Sequence, residues 1–153
     1  MKLFSFPQLI NYLSANWGHK SYECKNDPTQ ICLYVTERCT LSCKWCLRQS
    51  EPSKYVNQRS DMSFEQAKKI LDYFPKATHL SLAGFGEPLM VNDLFKITAE
   101  FKNRPMKVSI VTNGTLLVER IHDILHAEFQ SIFVSINSLD AIDYKLVCGG
   151  NEN

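Results

Sequence analysis

Cys39, Cys43 and Cys46 stand in the run Y-V-T-E-R-C-T-L-S-C-K-W-C, with three residues and then two between successive thiols. Cysteines at such spacing hold zinc or an iron-sulfur cluster. A cubane cluster has four irons and is usually held by four cysteines. A triplet leaves one iron open to an outside ligand, as a catalytic metal site keeps one position open. Arg38 and Lys44 flank the run, and positive charge lowers a thiol's pKa. A second group, L-A-G-F-G-E-P-L, sets Glu87 beside Gly84, Phe85 and Gly86, where the chain can turn sharply and come close to a ligand. A carboxylate there can hold an ammonium group by charge-assisted hydrogen bonds. V-T-N-G with Asn113, and V-S-I-N-S with Ser135 and Asn137, offer hydroxyl and amide groups suited to a ribose or a carboxylate.

These four groups need elements that bring them to one place. An apolar run at 31–35 reads as a first strand, and 78–83, 107–112 and 131–136 read as three more. Between them lie segments of helical period. Ser63 and Gln66 form a capping box ahead of Phe64, Ala67, Ile70, Leu71 and Phe74. Leu94, Ile97 and Phe101 line a second helix with Asn92 as its cap, and Leu117, Ile121, Ile124 and Leu125 line a third. Leu139, Ile142 and Leu146 begin another. Strand alternating with helix predicts parallel strands joined by crossovers, with ligands outside the carboxyl ends of the strands. Each chemical group follows such an end.

Residues 1–30 read as an N-terminal extension, with a short helix through Leu9, Ile10 and Leu13 that ends near Asn16, Gly18 and His19. Segment 48–61 reads as a polar loop. At 153 residues, with 44% hydrophobic and 22% charged residues, the chain has room for one globular domain. A formal net charge of +1 and no basic run give no electrostatic footprint for nucleic acid. No stretch reads as a membrane span or signal peptide, so the six cysteines are expected in a reducing, cytoplasmic setting, where clustered thiols more often hold metal than form disulfides. Cys24, Cys32 and Cys148 read as small buried residues or incidental thiols. His122 and His126, four apart, read as a solvated helix face.

The order C-x-x-x-C-x-W-C, G-F-G-E-P, T-N-G and V-S-I-N, each after its strand, resembles the radical S-adenosylmethionine (SAM) superfamily. The resemblance implies an α/β fold, a parallel-stranded partial (β/α) barrel. Four of its six β/α units are present, so that residues 31–153 form an incomplete domain. It implies that Cys39, Cys43 and Cys46 ligate a [4Fe-4S] cluster whose fourth iron is chelated by S-adenosyl-L-methionine. It places Trp45 by the adenine and Gly84, Phe85, Gly86 and Glu87 on the methionine amino group. Ser135, Asn137 and Asn113 fall to the ribose or the methionine carboxylate. The activity implied is reductive cleavage of SAM to a 5′-deoxyadenosyl radical. An electron donor such as a flavodoxin or ferredoxin and an undetermined substrate would be its partners, peptide or protein modification and cofactor maturation being the branches in view. The fourth strand would leave an open edge, so a partner or a further segment is expected to complete the sheet. Alternatives are a short activating enzyme of the glycyl-radical type, favoured by a fifth strand from the extension, and a non-catalytic module. That module would bind iron-sulfur, or zinc with a fourth ligand from Cys24, Cys32, His19 or Cys148.

Overall fold

A computed structural model of the chain describes residues 4–16, 26–50 and 60–149. Four parallel strands, β1 (Gln30–Leu33), β2 (His79–Leu82), β3 (Lys107–Thr112) and β4 (Ser131–Val134), form one sheet in the order β1-β2-β3-β4. The helices are α1 (Phe6–Asn16), α2 (Leu47–Ser50), α3 (Phe64–Asp72), α4 (Leu94–Lys102), α5 (Ile121–Ala127) and α6 (Ala141–Cys148). A 3₁₀ turn, Pro88–Met90, follows β2.

Register explains the layering. Leu33, Leu82, Ile110 and Ile132 stand level across the four strands, and Cys32, Ser81, Ser109 and Ser131 stand level one residue earlier. Side chains alternate between faces, so the aliphatic row and the small polar row lie on opposite sides of the sheet. Leu33, Leu82 and Ile110 are buried in a core with Leu71 of α3, Phe101 of α4 and Ile124 of α5. The small polar row keeps some access to solvent.

The capping box at Ser63 and Gln66 forms as its spacing predicts. The cap of α4 is Asp93, not Asn92. Its carboxylate accepts from the Phe64 N–H at 3.3 Å and pairs with Lys96, so it ties the starts of α3 and α4 together. The third crossover helix begins at Ile121 rather than Leu117, because residues 115–120 turn instead, and Leu125 is exposed. In the last helix, Leu139, Ile142 and Leu146 are exposed. Part of the expected polar loop at 48–61 is helical, as α2. The first and fourth strands are shorter than their apolar runs; beyond Leu33 the chain leaves the sheet, and the Val35 carbonyl accepts from Met62 N–H.

The helix of the N-terminal extension forms, but with the opposite face inward. Gln8 and Asn11 are buried while Leu9, Ile10 and Leu13 are exposed. Gln8 Nε2 donates to the carbonyls of Ala77 and Pro105, which lead into β2 and β3, at 3.0 and 3.3 Å. Asn11 exchanges two hydrogen bonds with the backbone of Asp27, ahead of β1. The helix therefore covers the amino ends of the strands and leaves their carboxyl ends to the site. Among the described residues the sheet has four strands and no helix is long and apolar enough to cross a membrane.

Candidate functional site

The thiol loop begins where β1 leaves the sheet, and polar contacts hold its entrance. Thr36 Oγ1 accepts from Arg38 N–H and donates to Asp61. The Arg38 guanidinium pairs with Asp61 and donates to the Met90 carbonyl at 2.8 Å. Arg48 donates to the carbonyls of Glu37 and Leu41 at 2.7 and 3.1 Å, closing the loop on itself. Hydrogen bonding to Arg38 holds the Asp61 carboxyl below its ordinary range. Arg38 is thus already matched by Asp61, and at Cys43 the expected lowering by flanking charge does not prevail. Cys43 is pushed up to about 11, first by burial, then by the charge and hydrogen bond of Cys148 and the charges of Cys39 and Cys46.

Cys39, Cys43 and Cys46 are all partly buried on one loop; among the described residues no three ligating side chains are placed to hold a metal ion as they stand, so a cluster would have to draw the three sulfurs together. The donor set is soft and anionic, which fits an iron-sulfur cluster. Trp45, one residue before the last cysteine, is 83% exposed, so it is not a core aromatic.

The loop after β2 meets the thiol loop directly. A Cβ on Gly86 would lie 2.3 Å from the Thr36 carbonyl oxygen and 2.6 Å from that of Arg38, so glycine is needed for the two backbones to touch. Glu87 N–H donates to the Arg38 carbonyl at 2.7 Å. The Glu87 side chain, 1% exposed, accepts from Leu89 N–H, Thr112 Oγ1 and Asn113 N–H at 3.1, 2.8 and 2.7 Å. It couples the second loop to the third. Phe85 is exposed, and its ring meets that of Tyr34 in a T-shaped contact with centroids 5.5 Å apart. Asn113 Nδ2 then reaches Cys39 Sγ at 3.4 Å and Thr40 Oγ1 at 3.0 Å, while Thr40 and Thr115 hydroxyls stand 2.6 Å apart.

At the fourth loop, Ser135 is exposed and Asn137 Nδ2 donates to Cys148 Sγ at 3.2 Å. The structure thus draws Cys39, Cys43, Cys46, Glu87, Asn113 and Asn137 into one connected group at the carboxyl ends of the strands. Asp61, Arg48 and Tyr144 join it without a sequence reading that placed them there, and Cys148, read beside the triplet only as one possible fourth ligand to zinc, joins it too. Cys148 is buried, as expected of a small apolar residue, but beside Cys43 rather than at an incidental place. Its signal was slight: a sixth cysteine followed by two glycines. Cys32 is exposed on the sheet, and His19 and Cys24 lie outside the described residues. His122 and His126 occupy an exposed face of α5.

The sequence matches the family model described as the radical SAM superfamily over residues 33–153. A protein of Methanococcus maripaludis named "Probable GTP 3',8-cyclase" is 30% identical over 123 residues, which are 78% of this chain and 40% of that protein. A GTP 3',8-cyclase of Tolumonas auensis is 32% identical over 126 residues, 78% of this chain and 36% of its own length. A tungsten-containing aldehyde ferredoxin oxidoreductase cofactor-modifying protein of Pyrococcus furiosus is 33% identical over 92 residues, 58% of this chain and 25% of that one. The chain spans 40% or less of the length of these curated relatives. Among solved structures, TYW1 with a lysine-pyruvate adduct superposes with a TM-score of 0.63 at 19% identity, covering 81% of this chain and 47% of that one. Streptococcus suis SuiB bound to S-adenosylmethionine gives 0.63 at 18% identity, covering 81% and 27%. The shared fold is a barrel-like α/β architecture of which this chain forms part.

Proposed function

The chain belongs to the radical SAM superfamily, and from that footing we propose that it is the cluster- and SAM-binding part of a radical SAM enzyme. Cys39, Cys43 and Cys46 would hold the [4Fe-4S] cluster, and Gly84, Phe85, Gly86 and Glu87 would hold the amino end of SAM. Trp45, Asn113, Ser135 and Asn137 would border its adenosine and carboxylate. When bound, cluster and SAM supply one-electron cleavage of the sulfonium and a carbon radical that takes hydrogen from substrate. The chain's own part is to orient and to insulate. Glu87 fixes the Asn113 backbone, Asn113 steadies Cys39, and Arg48 closes the thiol loop by its carbonyls. The observation that carries the reading is the continuous hydrogen-bonded link from Glu87 through Asn113 to Cys39.

Two relatives carry names that concern GTP and a third a cofactor, which supports a small-molecule or cofactor-maturation branch over peptide modification. A small one-electron carrier, flavodoxin or ferredoxin, would be the reductant, and the clustered thiols suit a reducing cytoplasm. The test is anaerobic reconstitution with iron and sulfide, reduction, and incubation with SAM. Iron and sulfide uptake, a SAM-dependent change in the electron paramagnetic resonance (EPR) spectrum and 5′-deoxyadenosine release are expected. Uptake and SAM binding without that product point to the non-catalytic module, and zinc retained after reconstitution defeats the cluster assignment.

A further inference from the structure

One side chain of the site has every hydrogen-bonding position taken. Glu87 accepts the Asn113 backbone N–H at 2.7 Å and Thr112 Oγ1 accepts that of Gly114 at 3.0 Å, so the turn after β3 is held from both sides. Gly114 has a φ of +84°, which glycine adopts without strain, and the turn brings Thr115 back onto Asn113. Thr115 gives both its backbone N–H and its hydroxyl to Asn113 Oδ1, at 2.9 and 2.7 Å. A backbone N–H can only donate, which fixes Oδ1 on this side of the amide and Nδ2 on the other. Nδ2 donates to Thr40 Oγ1 at 3.0 Å and to Cys39 Sγ at 3.4 Å.

Donor counting closes these contacts into a ring. The Thr115 hydroxyl gives its one proton to Asn113 Oδ1, so in its 2.6 Å contact with Thr40 it accepts. Thr40 accepts from the amide and donates to Thr115, and each bond polarises the next. Both N–H groups and both oxygen lone pairs of the amide are engaged, so Asn113 borders the SAM site with no group left to bind SAM. We propose that Asn113 is a positioning residue for Cys39: the N–H outside the ring donates to the Cys39 thiolate and raises the reduction potential of the cluster held there, with Thr40 and Thr115 fixing the amide that does so. The proposal rests on the reading that Cys39, Cys43 and Cys46 hold that cluster. When the cluster takes one electron from its reductant, an N–H at a ligand sulfur offsets the added negative charge, and such bonds are among the features that set these potentials. Thr40 follows Cys39 directly, so the ring travels with that sulfur as the thiols draw together.

The whole protein and its Asn113→Ala, Thr115→Val and Thr115→Ser variants are reconstituted anaerobically, without SAM. Iron, sulfide and the midpoint potential by EPR-monitored titration are measured. Asn113→Ala removes the donor to sulfur, so equal iron content with a roughly tenfold lower ratio of reduced to oxidised cluster at fixed potential is expected, about 59 mV. Thr115→Val keeps the amide and opens the ring, and a smaller shift in the same direction is expected. Thr115→Ser keeps the hydroxyl and should restore the wild-type potential. Equal potentials in wild type and Asn113→Ala overturn the proposal, and SAM binding weakened in that variant alongside them would assign the amide to SAM instead. If Asn113→Ala does not fold or takes up less iron, the Thr115 pair decides: equal potentials in Thr115→Val and Thr115→Ser overturn the proposal. Loss of iron in Asn113→Ala and in both Thr115 variants also overturns it, since the ring would then serve assembly of the loop and not the potential. A wild-type protein that takes up no iron and gives no EPR signal overturns the cluster reading itself, and this inference with it.

Discussion

Gly86 and Glu87 show how single residues weld separate loops into one site. Any side chain at Gly86 meets carbonyl oxygens of Thr36 and Arg38, which are backbone and cannot swing aside. Gly86→Ala is therefore expected to force the second loop away from the thiol loop, costing about 2 kcal/mol by overpacking, seen as a lower urea midpoint and reduced iron uptake. Glu87→Gln places an amide where a carboxylate accepts three donors, and a loss of about 2 kcal/mol is expected, since bonds to charged groups are the stronger kind. Titration with SAM then separates packing from binding: an affinity unchanged in the folded variant would remove Glu87 from the SAM site. Asp61 gives a pH signature. Its folded pKa is depressed by Arg38, so its contribution is complete above the ordinary Asp value of about 3.9 and fades as pH falls through the lower folded value. A wild-type advantage of about 1 kcal/mol over Asp61→Asn at pH 7 should shrink steadily in urea titrations carried into that acid range. The three thiols and Glu87 were legible because their chemistry is written in local spacing. Asp61 and Arg48 were not, because only the path of the folded loop brings them to Arg38, Glu37 and Leu41, and Cys148, read only as one possible fourth ligand to zinc, is carried to the thiol loop by the crossovers.

At the scale of elements, β/α alternation was legible wherever burial follows one period, as in α3 and β3, whose expected starts agree with the structure. It misled where a helix packs against polar backbone instead of apolar side chains. In α1 the apolar period points outward, because the strand ends beneath it present carbonyls and an N–H that need partners, and Gln8 and Asn11 supply them. Amphipathic analysis assumes an oily neighbour, and here the neighbour is a rim of peptide groups. Asn11→Ala removes both bonds to Asp27, one donated and one accepted. It is expected to cost 1 to 2 kcal/mol, roughly one net hydrogen bond plus the group left unpaired. Hydrogen exchange checks whether the loss is confined to α1: its amides should exchange about tenfold faster while those of β2 and β3 change little. Equal acceleration throughout would mean that α1 folds in one unit with the sheet.

At the scale of the whole molecule, the fourth strand behaves unlike the other three. Parallel strands are normally covered on both faces, yet Ile132, Phe133 and Val134 are all substantially exposed, as are Ile142 and Leu146 of α6. Among the described residues β4 has only β3 beside it, which leaves its outer edge open to pairing. On the first three strands the aliphatic row is buried under α3, α4 and α5. An apolar strip joined to an open edge favours association, because covering it removes apolar area from water at roughly 25 cal/mol per Å². A polypeptide consisting of these 153 residues alone is therefore expected to self-associate at micromolar concentration, as measured by sedimentation. Phe133→Lys combined with Ile142→Lys should weaken that association at least tenfold with little change in helix content by circular dichroism. Cluster uptake should survive the double substitution, since neither side chain belongs to the network of Cys39, Cys43, Cys46 and Cys148. A monomeric, unsubstituted polypeptide would show instead that the exposed strip is tolerated in water.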